Sequence, residues 1–330
     1  MRLAVPIFLT LLLTPLTLAQ AQSLTLEAAL ARASEQAPVV AARAELDDAS
    51  TSLTRILADP LLTRPSRVQA EQRAALARVS FDRAVVQAQS NIVGAYAQVL
   101  EAQIQVRLAQ KALEVASRGL EIAQIRQRNG SGTALDVRNA QNRQDDARSN
   151  ATRAENGLAL AQSSLRSLVG GFNTVAPLPN PPALPEASTV RELLGKNPDV
   201  LQARQRGELA SLQFELLDPS FAARADMDAA RSRADQANAG AREIERGLGL
   251  QYDSLYQNLQ AASRALAIQQ AALANARETL ANDKKRLDAG LISAVAYLQT
   301  ELSFLQAELA AQQAQGNYWR AYYSLLAGGR

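Results

Sequence analysis

The sequence predicts an all-α protein made of two tandem repeats of a long antiparallel coiled-coil helical hairpin. Three observations lead to this fold class. Apolar residues recur every seven positions, landmark residues recur 160 positions apart, and a proline-rich segment separates the two halves. Hydrophobic residues make up 47% of the chain but aromatic residues only 4%. Much of the apolar content is alanine, which favours thin helix–helix seams over a thick globular core.

The first residues predict a cleaved signal peptide. Arg2 supplies a positive charge, residues 3–18 are mostly apolar, and Ala19-Gln20-Ala21 fits a signal-peptidase site. This stretch is too short to span a bilayer. We therefore expect residues 1–21 to be removed by cleavage near Ala21, and the mature chain to be exported to the periplasm.

Colinear landmarks indicate an internal duplication, with one helical repeat at 22–170 and a second at 189–330. The pairs that lie 160 positions apart are Pro38 and Pro198, Tyr96 and Tyr256, Leu113 and Leu273, Leu120 and Leu280, and Gly130 and Gly290. Between the repeats, residues 171–188 contain five of the twelve prolines. Such a segment predicts an extended linker.

Each repeat is expected to contain one long helix. In the first repeat, residues 68–128 contain no proline, and large and small apolar residues alternate along a heptad pattern. The large residues are Val85, Ile92, Val99, Val106, Leu113 and Leu120, and the small ones are Ala88, Ala95, Ala102, Ala109, Ala116 and Ala123. The second repeat continues the large series with Tyr252, Leu259, Leu266, Leu273, Leu280 and Leu287.

Shorter helices flank the long one. The glycine-containing segment 129–133 predicts a tight turn, followed by a returning helix over 134–168. Before the long helix, 38–58 reads as a helix that Asp59-Pro60 ends. Stacked end to end, these two flanking helices come close to the length of the long helix. They are therefore expected to run beside it as the second strand of one hairpin.

Composition argues against two function classes. The net charge is only +3, and no basic stripe interleaved with aromatic residues is present, so nucleic acid is not an expected partner. Histidine and cysteine are absent, and the carboxylate pairs Asp47-Asp48 and Asp145-Asp146 lie in polar helical stretches. We therefore expect no enzyme activity, no metal site and no cofactor.

The chain resembles the TolC family of outer membrane efflux proteins. The segments that carry the resemblance are 23–30, which looks like the opening helix of the family, 93–100 in the long helix, 130–140 at the first turn, and 289–299 at the second turn. Together they extend over nearly the whole mature chain. The order of these segments, the duplication and the proline linker are more specific than any one of them.

The resemblance implies a homotrimer in which each chain gives two hairpins to a hollow α-helical tunnel. It also implies a periplasmic adaptor and an inner-membrane transporter as partners, and a periplasmic location associated with the outer membrane. In the family, each repeat adds two strands to a transmembrane β-barrel.

The sequence departs from the family at the place of those strands. After Asp59-Pro60 only residues 61–67 precede the helical pattern, and Asp218-Pro219 is followed almost at once by 222–225. A transmembrane strand needs about 9–11 residues. We therefore expect a TolC-like α-barrel protomer without the transmembrane β-barrel, and no autonomous membrane span.

The candidate functional residues lie at the two turns. The resemblance makes Asp136 and Arg138 candidates for the tunnel entrance, where three copies of Asp136 could form an acidic ring. The alternative, which the helix dipole favours, is that Asp136 only stabilises the N-terminus of its own helix. The resemblance makes Gly130, Ser131 and their counterparts Gly290 and Leu291 candidates for adaptor docking, with plain turns as the alternative.

Two functions remain open from the sequence. One is a passive tunnel component of an efflux or secretion system. The other is a periplasmic coiled-coil spacer or tether with no conducting lumen. A polar run at 141–146 suits a lumen and suits bulk solvent equally well. A periplasmic adaptor is less favoured because no β-rich domain is evident.

Overall fold

The computed structural model describes residues 23–218 and 220–328; the expected signal peptide lies outside them. The helices in this part of the chain are α1 Leu26–Ala31, α2 Ala37–Leu57, α3 Arg64–Arg128, α4 Ala134–Val169, α5 Ala187–Gly195, α6 Pro198–Glu215, α7 Arg224–Asp288 and α8 Ala294–Ala327. A 3₁₀ turn, Arg32–Glu35, follows α1. The described residues form no β-strand, only an isolated bridge between Leu24 and Val175. The all-α hairpin fold expected from the sequence is confirmed.

Helices α3 and α7 are the long elements of the two repeats. Each contains 65 residues, which corresponds to about 100 Å at the usual helical rise. Thr63 caps α3, since its side chain accepts a hydrogen bond from the Ser66 N–H, and Pro65 occupies the first turn, where its missing donor costs nothing. α3 thus begins four residues before the predicted start.

Each long helix is flanked by two shorter antiparallel helices. α2 packs beside the first part of α3 and α4 beside the rest, while α6 and α8 pack along α7 in the same way. The heptad residues form the seams: Ile92, Val99 and Leu259 are completely buried, and Ala88, one helical turn before Ile92, is 3% exposed. The small alanine side chains allow close approach of the helix backbones, as the alternation predicts.

The two hairpins join side by side through α3. This helix also packs against α6 and α8. Along the first part of α3, the order of helices across the layer is α2–α3–α6–α7. Along the second part of α3, the order is α4–α3–α8–α7. Charged pairs cross the α3–α8 contact, namely Glu101–Arg320 at 2.7 Å, Arg107–Glu308 at 2.8 Å and Lys111–Glu301 at 3.0 Å. Helices α2 and α4 therefore lie at one edge of the layer and α7 at the other.

The proline-rich linker runs across the middle of the layer. Proline contributes no N–H, so the carbonyls of this segment need donors from elsewhere. Aromatic and amide side chains on the helices supply them: Tyr96 to Ala176 at 2.7 Å, Tyr318 to Pro182 at 2.6 Å, Tyr256 to Pro185 at 3.0 Å, Gln315 to Pro179 at 3.0 Å, and the Trp319 indole to Pro179 at 3.4 Å. These contacts attach the linker to both hairpins.

The connections that precede the two long helices are short, as predicted. Residues 58–63 join α2 to α3, and 216–223 join α6 to α7. The two connections lie at the same end of the layer, where Arg64 pairs with Glu215 at 3.4 Å. We call this the apical end and the opposite end, with the turns at 129–133 and 289–293, the tip end.

Hydropathy along the helices bears on membrane insertion. Within residues 23–218 and 220–328, none of the helices combines the length and apolar character needed to cross a bilayer.

Candidate functional site at the hairpin tips

The two tip turns have the same backbone geometry. Gly130 and Gly290 adopt φ values of +73° and +71°, in the left-handed region that glycine enters without steric cost. Both turns close with the same backbone hydrogen bonds: Gly130 N–H to Gln127 at 3.1 Å, Ser131 to Arg126 at 2.9 Å, Gly290 to Leu287 at 2.9 Å, and Leu291 to Arg286 at 2.8 Å. This pattern is a Schellman motif, which satisfies the last carbonyls of α3 and α7.

The side chains at the tips differ in polarity. The Ser131 hydroxyl donates a hydrogen bond to the Arg126 carbonyl at 3.2 Å. The first turn therefore carries a polar side chain that is hydrogen-bonded within the turn. Leu291 occupies the equivalent place at the second tip and is 71% exposed. The second turn therefore exposes an apolar side chain at the position where the first turn has a polar one.

The structure places Asp136 in the capping box of α4. Its carboxylate accepts hydrogen bonds from the backbone N–H and the hydroxyl of Thr133, both at 2.8 Å, and the Thr133 hydroxyl accepts from the Asp136 N–H at 3.2 Å. The backbone and side-chain hydrogen bonds from Thr133 lower the pKa of Asp136 below its ordinary value. The carboxylate is therefore held ionised at the helix N-terminus.

Asp136 also borders a groove of about 650 Å³ near the first tip. Small residues such as Gly119 and Ala116 on α3 leave this space open, while Arg126 and Arg143 bring positive charge to its wall. Arg138 is exposed and is not part of the lining. Asp136 therefore shares the groove with Arg126 and Arg143, whereas Arg138 lies outside it.

Part of this groove could not be found from sequence reasoning. Val295 and Gln299, at the start of α8, complete its wall. These residues come from the second repeat, more than 150 positions from Asp136, and reach the groove only because α8 packs against α3. No local pattern in the chain marks such a contact between repeats.

Part of the chain matches a known protein family. Residues 63–171 match the model of the family described as outer membrane efflux protein. No curated protein matches the sequence.

Several solved channel structures share the fold. The Campylobacter jejuni CmeC outer membrane channel superposes with a TM-score of 0.64 at 12% identity, covering 92% of this chain and 86% of that one. The Vibrio cholerae outer membrane protein VceC gives 0.60 at 17% identity, covering 92% and 96%. The Neisseria gonorrhoeae MtrE outer membrane channel gives 0.57 at 15% identity, covering 92% and 89%.

The resemblance expected from the sequence is thereby confirmed. The chain has the helical fold of TolC-family channels, and its residues 63–171 carry the sequence pattern of the outer membrane efflux proteins.

Proposed function

We propose that this chain is a passive subunit of a hollow helical conduit that carries substrates through the periplasm, in efflux or secretion. The family match over 63–171 and the shared fold of outer membrane channels support a tunnel component. The conduit works without chemistry of its own, because its subunits only enclose a path. The resemblance implies three subunits, a periplasmic adaptor and an inner-membrane transporter, at the periplasmic face of the outer membrane.

The proposal rests on the two edges of the helical layer, formed by α7 on one side and α4 on the other, which each expose large apolar side chains. On α7, Leu250 and Ile268 lie nine residues before and after the buried Leu259. Nine residues are two and a half helical turns, so both side chains lie on the face opposite the seam. They are 69% and 64% exposed within one chain. The proposal places these two side chains in the contact with a neighbouring chain.

The other edge carries a matching feature. Leu160 on α4 is 68% exposed and points away from the seam residue Leu165, which is completely buried. Contact between the α7 edge of one chain and the α4 edge of the next is a head-to-tail interface, which closes into a ring when the rotation per copy fits. A layer that closes into a ring in this way encloses a lumen.

The tips are proposed to face the adaptor. Leu291 would make an apolar contact with the adaptor at the second tip. The turn at Gly130 and Ser131 would make a polar contact at the first tip. Asp136 would place one carboxylate per subunit near the entrance, with Arg138 outside the groove. Because Asp136 already accepts two hydrogen bonds from Thr133, its role at the entrance is that of a fixed negative charge.

Mass and shape of the purified mature protein test the proposal. Light scattering without detergent should give three chains per particle, and negative-stain end views should show a hollow ring. A monomer, or a solid rod with no central density gap, would contradict the conduit. Either result would favour the alternative of a coiled-coil spacer or tether without a lumen.

A further inference from the structure

The proline-rich linker is restricted in backbone conformation along nearly its whole length. Every position from 176 to 185 except 183 is a proline or the residue before a proline. Proline fixes its own φ at about −65°, and it restricts the residue before it to extended backbone. Such a segment favours the polyproline II helix, which has three residues per turn and no internal hydrogen bonds.

The exposure of the linker side chains repeats at every third residue. Val175 and Leu178 are buried, at 9% and 7% exposure, and the next two positions in this series, Pro181 and Leu184, are partly buried. The series that begins one residue earlier is exposed throughout and consists of Thr174, Pro177, Asn180, Ala183 and Glu186. One face of the linker therefore packs inwards while another meets solvent, as expected for a helix with three residues per turn.

The carbonyl groups of the linker follow the same spacing. Helix side chains donate hydrogen bonds to the carbonyls of residues 176, 179, 182 and 185. The donors are Tyr96 on α3, Gln315, Tyr318 and Trp319 on α8, and Tyr256 on α7. We call these five residues the donor strip. Four of them are aromatic, so each of those four combines an apolar ring with one polar donor.

The donor strip crosses three neighbouring helices. Helix α8 packs against α3 and against α7. At about 3.1 Å per residue, a polyproline II segment from Ala176 to Pro185 extends about 28 Å. Two helix–helix spacings of about 8–10 Å each fit within this length, together with the reach of the tyrosine side chains. The linker is thus long enough to contact Tyr96 at one end and Tyr256 at the other.

We propose that the donor strip is a recognition site for polyproline II segments, and that the linker is its resident ligand. Domains that bind proline-rich peptides use the same chemistry, because aromatic side chains form the groove and the ligand is already ordered before it docks. The ligand class is a proline-rich peptide with an apolar residue at every third position. Site and ligand lie in one chain, so the inference does not rest on the conduit.

The tether decides how the site can be tested. A ligand joined to the site at both ends occupies it at a roughly millimolar effective concentration, so a separate peptide competes poorly. Leu178→Ser/Leu184→Ser, the loosened variant, weakens the inward face of the linker and leaves all five donors in place. Asn180→Ser/Ala183→Ser is the matched control, because it changes two exposed positions of the same segment.

Fluorescence anisotropy with a labelled peptide of residues 174–186 tests the proposal in the mature chain. The peptide should bind the loosened variant at least about tenfold more tightly than the wild type or the matched control, because the linker competes in both of those. A scrambled peptide of the same composition should not bind. Adding Tyr318→Phe to the loosened variant should weaken binding about three- to tenfold, through loss of one hydrogen bond. Tyr322→Phe should leave the affinity unchanged.

The single tryptophan of the chain reports docking independently. Trp319 is 8% exposed, and its indole donates to the Pro179 carbonyl at 3.4 Å. Its emission should move to longer wavelength in the loosened variant, since the linker no longer covers the indole. Saturating peptide should restore the wild-type emission.

Three results would overturn the proposal: no peptide binding by the loosened variant, equal binding of the scrambled peptide, or an unchanged affinity after Tyr318→Phe. Circular dichroism would verify that each variant is folded. If the loosened variant unfolds, Pro179→Ala/Pro182→Ala replaces it, because it weakens the polyproline II preference while keeping both buried leucines, and the same results are expected. Light scattering reports the ring separately, so failure here is distinguishable from failure of the conduit.

Discussion

The hydroxyl of Tyr96, in the middle of α3, lies 2.7 Å from the carbonyl oxygen of Ala176 in the linker. The same hydroxyl is 2.9 Å from the Leu24 carbonyl oxygen. A single hydroxyl thus hydrogen-bonds to two carbonyls, one just before α1 and one in the linker. The Leu24 N–H in turn donates to Thr174 at 2.8 Å. Tyr96 has no exposed surface, and this small network joins α3, the segment before α1 and the linker.

Tyr96→Phe should therefore destabilise the fold. It removes the donor to the part-buried Ala176 carbonyl while keeping the ring, and losing such a hydrogen bond costs about 0.5–1.5 kcal/mol. Urea denaturation followed by circular dichroism would measure this loss of unfolding free energy. Tyr322→Phe is the control, since the described residues provide no hydrogen-bond partner for its hydroxyl. Equal stability of the two variants would contradict the structural role of Tyr96.

Alkaline pH should act on the same residue. Burial raises the pKa of Tyr96 to about 12. The unfolded chain loses the proton near the ordinary tyrosine pKa of about 10, whereas the folded chain keeps it. The folded state then binds the extra proton, so its stability falls as pH rises through this window.

The expected slope is about 1 kcal/mol per pH unit between the two pKa values. It would be measured as the difference in unfolding free energy between the wild type and Tyr96→Phe at pH 9, 10 and 11. The variant cannot ionise at this position and should lose less stability. Parallel curves for the two proteins would show that Tyr96 does not titrate differently in the folded state.

The contrast between Tyr96 and the heptad residues shows what could be predicted from sequence. The seven-residue period follows from local helix geometry, so the seam positions Ile92 and Leu259 could be assigned without knowing the partner helix. The carbonyl that Tyr96 reaches lies 80 positions away. No periodic pattern encodes that distance, and its counterpart Tyr256 was recognisable only as a repeated landmark.

At the tips, the turn could be predicted but the groove could not. The segment around Gly130 carries the glycine that a left-handed residue requires, and the structure has φ of +73° there. The contribution of Gln299 to the groove around Asp136 depends on how the two repeats pack. Adaptor docking by Leu291 and an entrance role for Asp136 remain predictions.

Alanine substitution distinguishes the tip glycines from an ordinary helix glycine. Gly130→Ala and Gly290→Ala force a Cβ into the left-handed region, and each should cost about 1–2 kcal/mol. Gly119→Ala is the control within α3, where an added Cβ meets nothing within 4 Å. It should instead stabilise the protein by about 0.5–1 kcal/mol through helix propensity. Thermal denaturation of the three variants would reveal the opposite signs.

The ion pair between Glu101 and Arg320 should couple the two hairpins. Its atoms are 2.7 Å apart and the Glu101 side chain is only 15% exposed, so solvent screens the pair less than a surface pair. A double-mutant cycle with Glu101→Gln and Arg320→Met should give a coupling of about 1 kcal/mol. The surface pair Arg67–Glu71, at 60% and 45% exposure, should show no measurable coupling in the same experiment. Equal couplings would mean that position between the hairpins does not matter.

The outer face of α7 gives the strictest test of the ring. Leu250→Asp/Ile268→Asp places two charges where the proposed interface excludes water, and burying unpaired charges is strongly unfavourable. The single chain should still fold, because both side chains are mostly exposed within it. Light scattering should therefore show the mass fall from three chains to one, with the helical circular dichroism unchanged. Leu61→Asp, which changes a leucine at the apical end that is 85% exposed, should keep the assembled mass. If the α7 variant also stays assembled, the chains must join through surfaces other than this edge, and the layer cannot close in the way proposed.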